Sequence, residues 1–231
     1  MFLIGILIHL SFFAKWFRMR LKFNTAMHNL HRIFIAVNLP ENLRRYLADF
    51  SQKWPQLPAK WAKPETLHIT LNFLGNANDE ELGEICRSVI EVSRRHDPFA
   101  LGLNRVAYGP QDQSARYQKT GIFLQYPRMI WAMGEKSQEI GNLQKDLESS
   151  LFEFSGARYR ENDPDYAFSP HVTLARLIQA DLRRIDLEEI PTIEEKIAKT
   201  FTVESIEVME SELRRGGPVY TVLESAKLGE Q

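Results

Sequence analysis

The sequence predicts an α+β protein of two similar lobes within one folding unit. Three observations lead there. Short stretches that alternate apolar and polar side chains, the two-residue period of a half-buried strand, are interleaved with long segments whose apolar residues recur at helical spacing. The order strand, helix, strand, helix, then further strands is followed by sequence of the same kind. No stretch rich in Gly, Ser or Pro separates the halves. With 44% hydrophobic and 11% aromatic residues among 231, the chain can bury a sizeable core.

The first strand is RIFIAVNLP, 32–40, ended by Pro40, whose fixed φ suits the first turn of a helix running to about Trp54. A Pro-punctuated loop, WPQLPAKWAKPET, leads to a strand at 67–74. Alternation there puts Leu67, Ile69, Leu71 and Phe73 on one face and His68, Thr70 and Asn72 on the other. NANDEELGEICRSVIEVSRRH then opens with acids and closes with bases, as the helix dipole favours. Cys86 lies on its apolar stripe with Leu82, Ile85 and Val89, so it is read as a core residue and not a nucleophile. Strands are expected at 99–107, 120–125 and 128–133, and a helix from about Glu135 to Phe154 with Ile140, Leu143, Leu147 and Leu151 on one face. A polar loop, GARYRENDPDYAFSP, precedes the strand PHVTLARL, 170–177. The acidic stretch from Asp181 to Lys199 has no clear pattern, and strands near FTVESIEVMES and PVYTVLES close the chain.

Charge and cysteine content exclude several classes. Lys and Arg number 29 against 30 Asp and Glu, so there is no overall basic field for long nucleic acid. One cysteine rules out an intrachain disulfide framework. Residues 1–30 carry Lys15, Arg18, Arg20 and Lys22 and no acid, leaving 25 bases and 30 acids in the rest. The apolar stretch Phe2–Ala14 is short for a span of about 20 residues, and its bases follow the apolar stretch where a signal peptide would have them first. Three readings stand: a weak membrane anchor, an interfacial helix, or translated upstream sequence before a start at Met19 or Met27. The last is favoured, because patterned sequence begins only at Arg32. The expected division is an extension at 1–30 outside the fold, a bilobal domain at 31–226 and a tail at 227–231.

One motif occurs twice. His171, Val172, Thr173 and Leu174 repeat His68, Ile69, Thr70 and Leu71 at a distance of 103 residues. A single histidine on a strand face is more often structural than catalytic, but a repeated His, apolar, Thr, Leu in strand context is hard to reach by accident. The chemistry fits the pattern. Acid–base catalysis needs a base to take a proton on one side of the reacting atom and an acid to give one on the other. Two imidazoles with ordinary pKa values near 6.5 supply both without a metal. Thr70 and Thr173, two residues on and on the same face, can donate to oxygens that gain charge. His9, His28, His31 and His96 offer no comparable set, and neither a zinc pattern, a P-loop, a dinucleotide fingerprint nor a nucleophile elbow is present.

On these residues the chain resembles the 2H phosphoesterases, which are defined by two His-x-Thr-x motifs. WAKPETLHITLNFLG, PHVTLAR and MESELRRGGPVYTVLE make it most similar to the RNA 2′,3′-cyclic phosphodiesterases, also called 2′-5′ RNA ligases, over about residues 31–226. The resemblance implies antiparallel lobes with helices outside, related by a pseudo-twofold with a central cleft. It implies His68 as proton donor and His171 as proton acceptor, an order that the residues alone leave open. It implies RNA ends bearing a 2′,3′-cyclic phosphate as partner, hydrolysis to a 2′-phosphate, a weak reverse ligation, no cofactor, no membrane contact for 31–231, a monomer and a cytoplasmic location. Arg176 is expected at the phosphate, although strand parity turns it away from His171 unless a bulge or the strand end falls near Ala175. Phe73 and Tyr220 could stack on a base, as strand aromatics more often do on a core. Arg214 and Arg215 form a turn or a rim contact. The alternatives are a phosphodiesterase for a small cyclic nucleotide or ADP-ribose cyclic phosphate, and an RNA-end binding module without turnover.

Overall fold

The structure, a computed structural model, describes residues 30–110, 126–154 and 168–230. The extension at 1–29, the expected strand at 120–125 and most of the polar loop before His171 lie outside these residues. The strands are β1 (His31–Asn38), β2 (Ala59–Trp61), β3 (His68–Ala77), β4 (Phe99–Gly109), β5 (Met129–Gly134), β6 (His171–Leu177), β7 (Glu194–Val203), β8 (Ser205–Arg214) and β9 (Gly217–Lys227). The helices are α1 (Glu41–Ala48), α2 (Asp79–Ser93), α3 (Gln138–Ser150) and the single turn α4 (Gln179–Leu182).

Each of the two long helices starts where the sequence supplies a partner for its free N–H groups. Asn78 caps α2 by accepting from Glu80 N and Glu81 N, while Glu81 accepts from Asn78 N, a reciprocal capping box. Ser137 caps α3 by accepting from Ile140 N. Ile85, Val89 and Val92 of α2 and Ile140, Leu143 and Leu147 of α3 are buried together with Ile33, Ile35, Ile69, Ile130 and Val172 of the sheet, in one core. Each such side chain contributes about 1.5–3 kcal/mol through burial. The helix expected to reach Trp54 ends at Ala48 and continues as a 3-10 turn at Asp49–Gln52.

All strand pairs are antiparallel, in the order β7-β4-β5-β6-β3-β1-β8-β9. Two four-stranded halves thus meet where β3 touches β6, through the pair Ile69 and Val172. Beyond that contact, β2 takes over the same edge of β6, with Ala59, Lys60 and Trp61 opposite Leu177, Arg176 and Ala175. Sequence alternation hid two strands. β2 is three residues long inside a Pro-rich loop, and β7 begins at Glu194 in the acidic stretch because an edge strand buries little, here mainly Ile197, Phe201 and Val203. The strand expected from FTVESIEVMES is broken at Glu204 into β7 and β8.

Candidate active site

The two halves repeat each other residue for residue around the motifs. In the first, Ala36, Val37 and Asn38 of β1 pair with Thr70, Ile69 and His68 of β3. In the second, Trp131, Ala132 and Met133 of β5 pair with Thr173, Val172 and His171 of β6. Ile69 and Val172, the apolar residues of the two motifs, face each other at the junction and are fully buried. Their neighbours His68, Thr70, His171 and Thr173 therefore project to the opposite side of the sheet and are half-buried there. The four motif residues thus share one side of the sheet beside the junction of the halves.

Each histidine is held in the same way. His68 Nδ1–H donates to the Thr66 carbonyl at 2.8 Å, and His171 Nδ1–H donates to the Ser169 carbonyl at 2.8 Å. A carbonyl only accepts, so in the neutral ring the lone pair is at Nε2. The Thr70 hydroxyl lies 3.0 Å from His68 Nε2 and can donate to it. Burial pushes both histidines below the usual value of 6.5, against the opposing pull of the carbonyl hydrogen bonds. The charge of His171 adds to the lowering at His68, so each imidazole feels the other.

The surroundings of the two rings are not symmetric. His171 stacks on Trp131 with ring centroids 3.7 Å apart at 21°. Against the same indole lies Gly109 of β4, where a Cβ atom would meet the Trp131 ring at 2.2 Å. The Trp131 Nε1–H is buried without a hydrogen-bond partner among the described residues, so packing holds the ring. Ala36 takes the equivalent place in the first half, and His68 there meets Phe34 at 5.0 Å and the edge of Tyr220 at 5.2 Å. Glu207, buried at 4% exposure, accepts from Asn38 N and from the hydroxyls of Ser205 and Ser225, which pins β1 beside His68.

A bulge follows each threonine. Between Thr70 and Asn72 the partner strand advances one residue, so Leu71 is extra, and Leu174 is extra in the same way between Thr173 and Ala175. Each bulge reverses the parity beyond it. Arg176 is thereby returned to the histidine face, as its position required, and its charge reaches Tyr220. Phe73 is moved as well: alternation put it with Leu67, Ile69 and Leu71, but it is 54% exposed and packs 5.9 Å from Phe34 on the histidine side. Tyr220 crosses the edge of Phe34 at 5.1 Å. Phe34, Trp131, Gly109 and Glu207 were not anticipated. The signal available for Trp131 was its position two residues before Met133 in a strand lying beside the second motif.

The remaining described histidines are structural. His31 contacts Glu210 at 2.7 Å through Nδ1 and Asp79 at 2.9 Å through Nε2, and these carboxylates raise its pKa. His96 bonds Asp146 at 2.9 Å and ties the turn after α2 to α3. Cys86 packs against the core, and burial raises its pKa. No group of three or more His, Cys, Asp or Glu among the described residues is placed to hold a metal ion, and no helix among them is long and apolar enough to cross a membrane.

Two antiparallel lobes that meet at paired His-x-Thr strands define a 2H phosphoesterase. A model of the LigT-like phosphoesterases matches residues 33–117 and 132–220, and the chain belongs to that family. It is 29% identical over 204 residues to a Thermus thermophilus protein named RNA 2′,3′-cyclic phosphodiesterase, covering 85% of this chain and 90% of that one. A relative of the same name from Methanocaldococcus jannaschii is 24% identical, covering 83% and 98%. Among solved structures, one from Thermus thermophilus superposes with a TM-score of 0.67 at 30% identity, covering 86% and 98%. Escherichia coli LigT complexed with 3′-AMP shares the fold at a TM-score of 0.65 and 23% identity, covering 87% and 100%.

Proposed function

We propose that the protein hydrolyses the 2′,3′-cyclic phosphate at an RNA 3′ end to a 2′-phosphomonoester by paired acid–base catalysis. The observation that carries this is the matched anchoring of the two imidazoles. With Nδ1–H of each bound to a carbonyl two residues back, each offers Nε2 to the same cleft. The relatives named RNA 2′,3′-cyclic phosphodiesterase supply the substrate class.

In this reading His171, neutral, takes a proton from water as the water oxygen bonds to phosphorus. The P–O3′ bond breaks, and protonated His68 gives its proton to O3′. The charges on the two histidines are exchanged at the end of the turnover, and solvent restores them. Thr70 and Thr173 donate to the non-bridging oxygens as charge builds on them. The guanidinium of Arg176 neutralises the same phosphate, and Phe73 and Tyr220 offer faces to the terminal base. Attack on the same phosphorus by an RNA 5′-hydroxyl in place of water, with the same loss of O3′ and its protonation by His68, gives a 2′-5′ phosphodiester, which is ligation.

The test is incubation of the purified chain, with EDTA present, with an oligonucleotide ending in a 2′,3′-cyclic phosphate, followed by mapping of the product. A 2′-phosphate is expected. A 3′-phosphate would reverse which oxygen leaves, and tight binding without turnover would replace the enzyme with a binding module.

A further inference from the structure

The cleft continues past the histidines along the edge of β6. Where β3 leaves that edge, β2 replaces it, and Lys60 pairs with Arg176. Ala59 and Trp61 of β2 pack toward the core, as do Ala175 and Leu177 of β6. Lys60 and Arg176 therefore project together to the histidine side, with Cβ atoms about 5 Å apart as for any directly opposed pair. Both are exposed, and among the described residues neither has a hydrogen bond or an ion pair to a carboxylate. Like charges opposed across a ladder repel. Two uncompensated cations held side by side at the end of a phosphate cleft make a place for a second anion.

The other end of the cleft is different in kind. The two bulges are equivalent, so Phe73 occupies in the first half the position that Arg176 occupies in the second. The Phe73 side is thus aromatic, with Phe34 and Tyr220, though the charge of Arg32 reaches Tyr220 there, and the Arg176 side pairs two cations. A terminal ribonucleotide has the same polarity. Its base leaves the ribose at C1′ and its chain at C4′, on opposite sides of the C2′–C3′ edge that carries the cyclic phosphate.

We infer that Lys60, beside Arg176, binds the phosphodiester immediately 5′ of the terminal nucleotide, so that the site selects oligonucleotide ends over mononucleoside 2′,3′-cyclic phosphates. The inference rests on the hydrolytic reading above. Arg176 faces the reacting phosphate and Lys60 the next one along the chain. The contact is electrostatic, so it is screened by salt.

The experiment compares kcat/KM for a short oligonucleotide ending in a 2′,3′-cyclic phosphate with that for the matching nucleoside 2′,3′-cyclic phosphate, over a range of salt, in the unaltered chain, Lys60→Gln and Lys60→Arg. The unaltered chain should favour the oligonucleotide. Lys60→Gln should reduce that preference about three- to tenfold, chiefly through KM, and lower the slope of log(kcat/KM) against log[salt] for the oligonucleotide by about 0.7. Lys60→Arg should restore both. Absence of a preference in the unaltered chain, or a preference and salt slope untouched in a folded Lys60→Gln variant, would overturn the inference and leave the hydrolytic reading standing. Turnover of neither substrate by the unaltered chain would remove that reading, and the inference with it.

Discussion

Gly109 makes no contact with any reacting atom, yet its replacement by alanine should damage turnover. The added Cβ would lie 2.2, 2.4 and 2.7 Å from three carbons of the Trp131 ring. Ordinary carbon contacts begin near 3.5 Å, so the indole must move by about 1.3 Å. Gly109 in β4 and His171 in β6 lie on opposite sides of β5, and the indole between them stacks on the imidazole at 3.7 Å. Movement of the ring therefore displaces His171. A misplacement of about 1 Å at a reacting group can cost on the order of 100-fold, so Gly109→Ala should lower kcat by about 10- to 100-fold on an oligonucleotide 2′,3′-cyclic phosphate. Overpacking should cost about 1–3 kcal/mol, read as a Tm lower by about 2–4 °C per kcal/mol. Trp131→Leu should lower kcat too, by removing the surface on which the imidazole rests. The decisive measurement is the double variant. If Gly109 acts through Trp131, then Gly109→Ala adds little to Trp131→Leu, because the obstructed ring is already gone. Independent, additive losses would refute the relay, as would a folded Gly109→Ala variant with unchanged kcat.

Three further outcomes follow from the same geometry. Because the proposed mechanism needs one histidine charged and the other neutral, and burial holds both below 6.5 in the free protein, kcat/KM should be bell-shaped with its maximum below pH 6.5; a maximum above about pH 7.5 would contradict this. Replacing either His68 or His171 by alanine should cost about 10²- to 10⁴-fold, and a nitrophenyl phosphodiester, whose leaving group needs no proton, should rescue His68→Ala but not His171→Ala; rescue of His171→Ala instead would exchange the roles. His31, whose pKa is raised by Asp79 and Glu210, stabilises the fold fully below its unfolded value of 6.5 and loses that contribution as pH rises through its folded value. The Tm deficit of His31→Asn should accordingly be large at pH 5.5 and small at pH 9, and a deficit independent of pH would show that the charge is not involved.

The legible part of this protein was carried by patterns with short range. The repeated motif located the four residues that lie side by side at the junction of the halves, and helical spacing located the faces of α2 and α3. What escaped depends on a partner strand. No property of Leu71 or Leu174 in isolation announces a bulge, since a bulge is a mismatch between two strands. Arg176 could be suspected because phosphate chemistry demanded it on the histidine face, whereas nothing demanded Phe73 there, and strict alternation put it in the core. The start of β7 was missed because an edge strand with one wet face and several charges loses the apolar half of its period. Gly109 and Trp131 become a pair only when β4 and β5 are side by side.

The repeat also shows how a nearly symmetric scaffold can perform an asymmetric reaction. The twofold correspondence brings two histidines to one cleft, but identical surroundings would give them identical proton affinities and no preferred direction of transfer. The differences are concentrated at positions related by the repeat. Where the first half has Ala36, the second has Trp131, whose indole face lies against His171 and can attract an imidazolium, against the cost of burial that lowers the His171 pKa. Where the second half has Arg176, the first has Phe73, so a cation stands in one half where an aromatic ring stands in the other. A base beside Trp131 gains stabilisation as it becomes charged during the turnover, which is when the stack strengthens. In the proposed mechanism that base is His171, and His68, next to the hydroxyl of Thr70 and the ring of Tyr220, is the acid.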